Sequence, residues 1–157
     1  MVVIEKAKVE ERKDTSKVGI VADWFGSQNL TQITDQQIRE KIKEIGAHID
    51  SRGDRVETIL HRLAKTKNAG VGRVIGIAID EFNARKNALS KSGSTPIRLA
   101  FLDENEEAVI AFARRGAKMD DLDFLGRTIE FQLEKNGKYE MLTLYKSLTI
   151  GIPVRKG

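Results

Sequence analysis

Apolar residues recur along this chain at two different spacings. Between residues 30 and 67 they fall three and four apart. Ile38, Ile42 and Ile45 come first, then Val56, Ile59, Leu60 and Leu63, with charged residues between them. That is the stripe of an amphipathic helix. Thr34-Asp35-Gln36-Gln37 has the form of a capping box, in which the Thr hydroxyl accepts from the third helical N–H and Gln37 reaches back. Gly46 supplies a stop, because glycine takes the left-handed conformation there. A second helix is expected from Asp54, with Glu57 three residues on, to about Lys65, and Lys67-Asn68-Ala69-Gly70 reads as a linker.

Past residue 71 the pattern changes. Gly72-Arg73-Val74-Ile75-Gly76-Ile77-Ala78-Ile79 is β-branched and reads as a strand. Residues 83–95 are polar and read as a loop. Residues 97–102 and 108–114 read as two further strands around a turn at Asp103-Glu104-Asn105-Glu106, and 119–125 as a short helix. Residues 128–133 and 139–150 read as a closing pair around Asn136-Gly137, whose tolerance of positive φ suits a hairpin. We read no internal repeat. Strand, long loop, hairpin, short helix, hairpin is the layout of an OB-fold. The expected class is therefore α+β: a five-stranded OB-fold β-barrel over residues 71–152, preceded by a helical hairpin at 30–67. Residues 1–29 form an N-terminal arm, with Val2-Val3-Ile4 opening a short strand and Trp24-Phe25 anchoring the segment by packing.

Within that layout the run Ile97-Arg98-Leu99-Ala100-Phe101-Leu102-Asp103-Glu104-Asn105-Glu106-Glu107-Ala108-Val109-Ile110-Ala111-Phe112 resembles the middle hairpin of replication protein A-like single-stranded-DNA-binding domains. Tyr139-Glu140-Met141-Leu142-Thr143-Leu144 is similar to the closing strand of that family. The resemblance covers about residues 72–150. It implies an OB barrel that binds single-stranded DNA in replication, repair or recombination, with Phe112 as a base-stacking aromatic. The helical section, from Ile38 through Gly53 to His61-Arg62-Leu63, resembles a SAP motif, which implies duplex DNA as a further partner.

Composition narrows the chemistry. The 157 residues contain no cysteine, which excludes disulfides, thiolate metal sites and a thiol nucleophile. The two histidines, His48 and His61, have no metal-ligand spacing with other residues, and the chain has no phosphate-binding loop or nucleophile motif. We expect no metal, no cofactor and no catalysis. Asp120-Asp121-Leu122-Asp123 reads as the acidic first turn of the short helix. No apolar run approaches the roughly 20 residues that span a bilayer, and nothing at the N-terminus resembles a signal peptide. We expect a soluble, cytoplasmic protein, with nucleoid or nucleus as alternatives and no membrane partner.

The net charge is +4 and the pI about 9.3. Its distribution says more than its size. Cations cluster at Arg85, Lys86 and Lys91, at Arg114, Arg115 and Lys118, and at Lys146, Arg155 and Lys156. A single-strand site combines such cations with stacking faces. The candidate set is Phe112, Arg114, Arg115, Arg98, Phe82, Arg85, Lys86, Tyr145 and Lys146. Phe112 serves as a stacking platform or as a core residue. Arg98 meets a phosphate or a surface acid. Phe82, Arg85 and Lys86 enter the first long loop, and Tyr145 and Lys146 lie near the end of the last strand. Single-stranded DNA binding is the expected function. An assembly module that docks a protein partner, or an RNA-binding OB protein, are the alternatives.

Overall fold

The computed structural model of the chain describes residues 16–46, 49–52 and 57–150. Among these residues every regular element is an α-helix and none is a strand. The helices are α1 Lys17–Ser27, α2 Asp35–Lys43, α3 Ile59–Ala64, α4 Val71–Phe82, α5 Pro96–Leu102, α6 Glu106–Arg114, α7 Ile129–Lys135 and α8 Tyr139–Thr149. The expected α+β class, the OB barrel and the likeness to replication protein A-like domains are overturned. Every segment expected as a strand between residues 72 and 150 lies mainly in a helix, and the expected helix at 119–125 is a non-helical loop. The strand at 2–4, the charged residues before Ser16, His48, the helix start at Asp54 with Val56, and the cations Arg155 and Lys156 lie outside the described residues.

The error has a physical source. A short apolar run fits a buried helix as well as a strand. In α4, Ile75, Ile77 and Ile79 alternate. Val71, Val74, Ile75 and Ala78 also fall three and four apart, and these four are completely buried while Ile79 is only half-buried. The helical period governs. The end signals agree with it. Glu107 accepts from the N–H groups of Gly70 (3.1 Å) and Gly72 (2.8 Å), satisfying donors at the start of α4 and placing a carboxylate at its positive end. Pro96 sits in the first turn of α5 behind the Thr95 N-cap. Asn136-Gly137 does adopt positive φ at Gly137 (70°), but the turn it makes joins two helices. The capping box at Thr34 forms as its spacing predicts.

The helices come in four pairs, each opened by a hydroxyl residue: Ser16, Thr58, Thr95 and Thr128 stand immediately before α1, α3, α5 and α7. The first helices of the pairs pack in series, α1 on α3, α3 on α5, α5 on α7. The second helices of the first three pairs do the same, α2 on α4 and α4 on α6. The helices expected to form one hairpin at 30–67 thus belong to two different pairs. The loops after α4 and α6 carry the same turn. Gly93 N–H donates to Ser90 O (3.0 Å) and Gly126 N–H to Asp123 O (2.9 Å), with both glycines at positive φ. Thr95 and Thr128 stand 33 residues apart, as do Gly93 and Gly126. The sequence therefore does contain a repeat.

A turn and two helices recur, opening on Thr58-Ile59-Leu60-His61 and again, 37 residues later, on Thr95-Pro96-Ile97-Arg98. Such units bury their apolar faces only by stacking. Hydrogen bonds tie each unit to the one before it. Asn68 Nδ2 donates to the carbonyls of Phe25, Gly26 and Gln28 at the end of α1, and Asn105 Nδ2 to those of Ala64 and Thr66 at the end of α3. Lys138 reaches Glu104 in the same sense.

Candidate functional site

In the second and third units the third residue after the opening hydroxyl residue holds a later loop in place. In the second unit it is His61, fully buried. Its Nδ1 accepts from the Thr58 N–H (3.1 Å), so the proton sits on Nε2, which donates to Ser94 O in the loop at residues 83–94 (2.9 Å). Burial holds its pKa below the ordinary value, against a smaller opposing effect of the Ser94 hydrogen bond. In the third unit the position is Arg98, with 1% exposure. Its guanidinium donates to the Gln132 side chain and to Asp121 O in the loop at residues 115–127. Burial pushes its pKa down, and the negative charges of Asp123 and Asp121 oppose this. Each latch fixes the next loop along the array.

The loop at 115–127 is braced a second way. Asp123 Oδ1 accepts from the N–H groups of Leu125 and Arg127 (2.9 Å each), and Oδ2 accepts from Arg127 Nε (2.9 Å). Burial works against the Asp123 charge, but the Arg127 and Leu125 hydrogen bonds outweigh it, and its pKa lies below the usual carboxylate range. Phe124 N–H donates to Ser92 O (3.3 Å), joining the two loops, and the Phe124 ring lies over Gly93, where a Cβ would sit 2.5 Å from it. This loop nonetheless exposes Leu122 (57%), Phe124 (66%) and Leu125 (75%). In the last unit the latch position holds Phe131, which is 48% exposed. A hydrogen-bonded backbone and unburied large apolar side chains thus coincide in one segment.

The residues expected to meet nucleic acid divide into three groups. Phe112 is fully buried in α6 and belongs to the core, so it has no face for a base to stack on. Arg98 is the internal latch rather than a surface cation. Tyr145 is half-buried, its ring edge-on to Phe101 at 5.7 Å between centroids and its hydroxyl donating to Met119 O (3.2 Å). Burial raises its pKa. Phe82 is half-buried at the end of α4. Arg85 and Lys86 follow α4, Arg114 and Arg115 end α6, and Lys146 lies in the last turn of α8. Helix C-termini favour cations without any ligand, through the helix dipole. Arg115 is also paired with Asp80 (3.1 Å). The structure does bring these cations to corresponding ends of successive helices, but not around a stacking aromatic.

Leu122, Phe124, Leu125 and Phe131 were not among the expected site residues. The 33-residue echo of Gly93 and Thr95 in Gly126 and Thr128 is the signal that marks this loop. Among the described residues no group of three or more His, Cys, Asp or Glu could hold a metal ion, and no helix is long and apolar enough to cross a membrane. No protein-family model matches the chain, and no curated protein matches it.

Proposed function

We propose that the chain is a non-catalytic protein-binding scaffold whose recognition element is the loop at residues 115–127 with the adjoining face of α7. The observation that carries this reading is the exposure of Leu122, Phe124, Leu125 and Phe131 on a segment held by Arg98, Asp123 and the Ser92 carbonyl. Large aromatic and aliphatic anchors supply most of the affinity at protein interfaces. Anchors already fixed in place lose little freedom on binding. Stacked repeats offer their loops along one side as an extended docking surface.

The test is affinity capture with the full chain and with a Phe124→Ser/Leu125→Ser variant, followed by titration of the purified partner. A loss of affinity of roughly tenfold or more in the variant is expected. Equal binding by both proteins would remove the loop from the interface. Single-stranded DNA, tested in parallel across a salt series, is expected to show no saturable binding at about physiological salt. Tight, strongly salt-dependent binding there would favour a nucleic-acid role instead.

A further inference from the structure

The array departs from its own packing rule at one place. α2, α4 and α6 pack side by side, but α8 packs chiefly on α7. Beside α6 it leaves a groove of about 790 Å³, walled by α6, by the loop that follows it and by α8. Ile110 and Ala113 line it from α6, Met119 from the loop, and Tyr145 and Leu148 from α8. The volume is that of a small-molecule site. At its edge stands Arg114, which is exposed and whose side chain makes no ion pair or hydrogen bond among the described residues.

We propose that this groove binds an anionic amphiphile, an apolar chain ending in a carboxylate, with the chain against Ile110, Met119 and Leu148 and the head group on Arg114. One observation favours this over a peptide segment. The polar groups of the lining are already used: the Tyr145 hydroxyl on Met119 O, the Thr149 hydroxyl on Tyr145 O, and the N–H groups of Gly116, Ala117 and Lys118 on Ala113 O, Phe112 O and Asn87 Oδ1. A peptide backbone would bring donors and acceptors with few partners here, which is unfavourable, whereas an acyl chain brings none. The second cation of the lining, Lys118, stands 3.9 Å from Asp121, which leaves Arg114 as the cation for the head group. Asp120 also lines the groove. It would repel the head group and so directs the carboxylate to the Arg114 side.

The test is isothermal titration of the full chain with dodecanoate, dodecanol and dodecylammonium, each below its micelle concentration, with amide NMR shifts to place the site. Dodecanoate is expected to bind one to one and to shift resonances of α6 and α8. Arg114→Gln is expected to weaken dodecanoate roughly tenfold and leave dodecanol unchanged. Ala113→Phe, which fills the groove, is expected to weaken both. Absence of saturable dodecanoate binding, equal affinity in Arg114→Gln, tighter binding of dodecylammonium, or shifts confined to residues 122–131 would each overturn the proposal. Partner capture through Phe124 and Leu125 is read separately and does not depend on Arg114.

Discussion

The middle of the array and its C-terminal end put different residues at the same structural position. His61 and Arg98 stand three residues after Thr58 and Thr95. Both are buried and both hold the following loop. Phe131 stands three residues after Thr128 and is half out in solvent. The same contrast holds for the aromatics. Phe101 and Phe112 have no exposed surface, while Phe124 is mostly exposed. The position in the fold, rather than the residue type, decides whether an apolar side chain contributes stability or stays available to a partner. Among the described residues the second and third units have a neighbour on both sides and use their large side chains in packing, whereas the last has a neighbour on one side.

The largest expected effect breaks the contrast directly. Phe112→Ala should destabilise the protein by about 3–5 kcal/mol in urea denaturation, since it opens a cavity in the core. Phe124→Ala should change stability by less than about 1 kcal/mol, as surface substitutions do, while reducing partner binding. His61→Ala should cost about 2 kcal/mol, because it leaves the Thr58 N–H and the Ser94 carbonyl without their buried partner. Arg98 sharpens the comparison by sign. It is a buried cation whose guanidinium donates to a side-chain amide and a backbone carbonyl and, among the described residues, to no carboxylate. Arg98→Met should therefore cost less than Gln132→Leu, which keeps the charge and removes the Gln132 acceptor. The same denaturation midpoints check both.

The smallest expected effect is in pH. The folded pKa of His61 is held below 6.5 by burial, so the unfolded chain takes up the proton first as pH falls. The stabilisation that goes with the neutral ring is complete above about pH 6.5 and declines as pH drops from there toward the folded value. Midpoints measured on either side of that window should fall on acidification in the natural chain. They should fall less in His61→Gln, in which no histidine titrates at this position.

Local signals in the sequence were legible and long-range ones were not. The capping box at Thr34 and the helix through Ile38 and Ile42 follow from spacing alone, because both depend on residues within one turn. The stop at Gly46 shows the expected positive φ. The turn residues at Asn136-Gly137 were also placed correctly in sequence, but positive φ says that the chain reverses, not what it connects. The strands failed because β-branched runs such as Val74 to Ile79 satisfy both periods when they are buried all round. The proposed recognition loop was missed because its conformation depends on Ser92, Gly93 and Arg98, which lie 23 to 32 residues before the loop residues they meet. Phe112 was misplaced for the reason that the strands were. In a barrel, alternation puts it on an outward side with Ala108, while in α6 the spacing of four puts the same two residues together on the buried stripe.

That last pair allows a direct measurement. The chain has no cysteine, so a single introduced thiol reports its own accessibility. Ala108 is completely buried in the helical array and would face outward on the barrel, and Leu125 is three-quarters exposed. Thiol labelling under native conditions should be fast for Leu125→Cys and slower by orders of magnitude for Ala108→Cys, becoming equal only when the protein is unfolded. Fast labelling of Ala108→Cys in the folded protein, or protection of Leu125→Cys without a partner, would contradict the account.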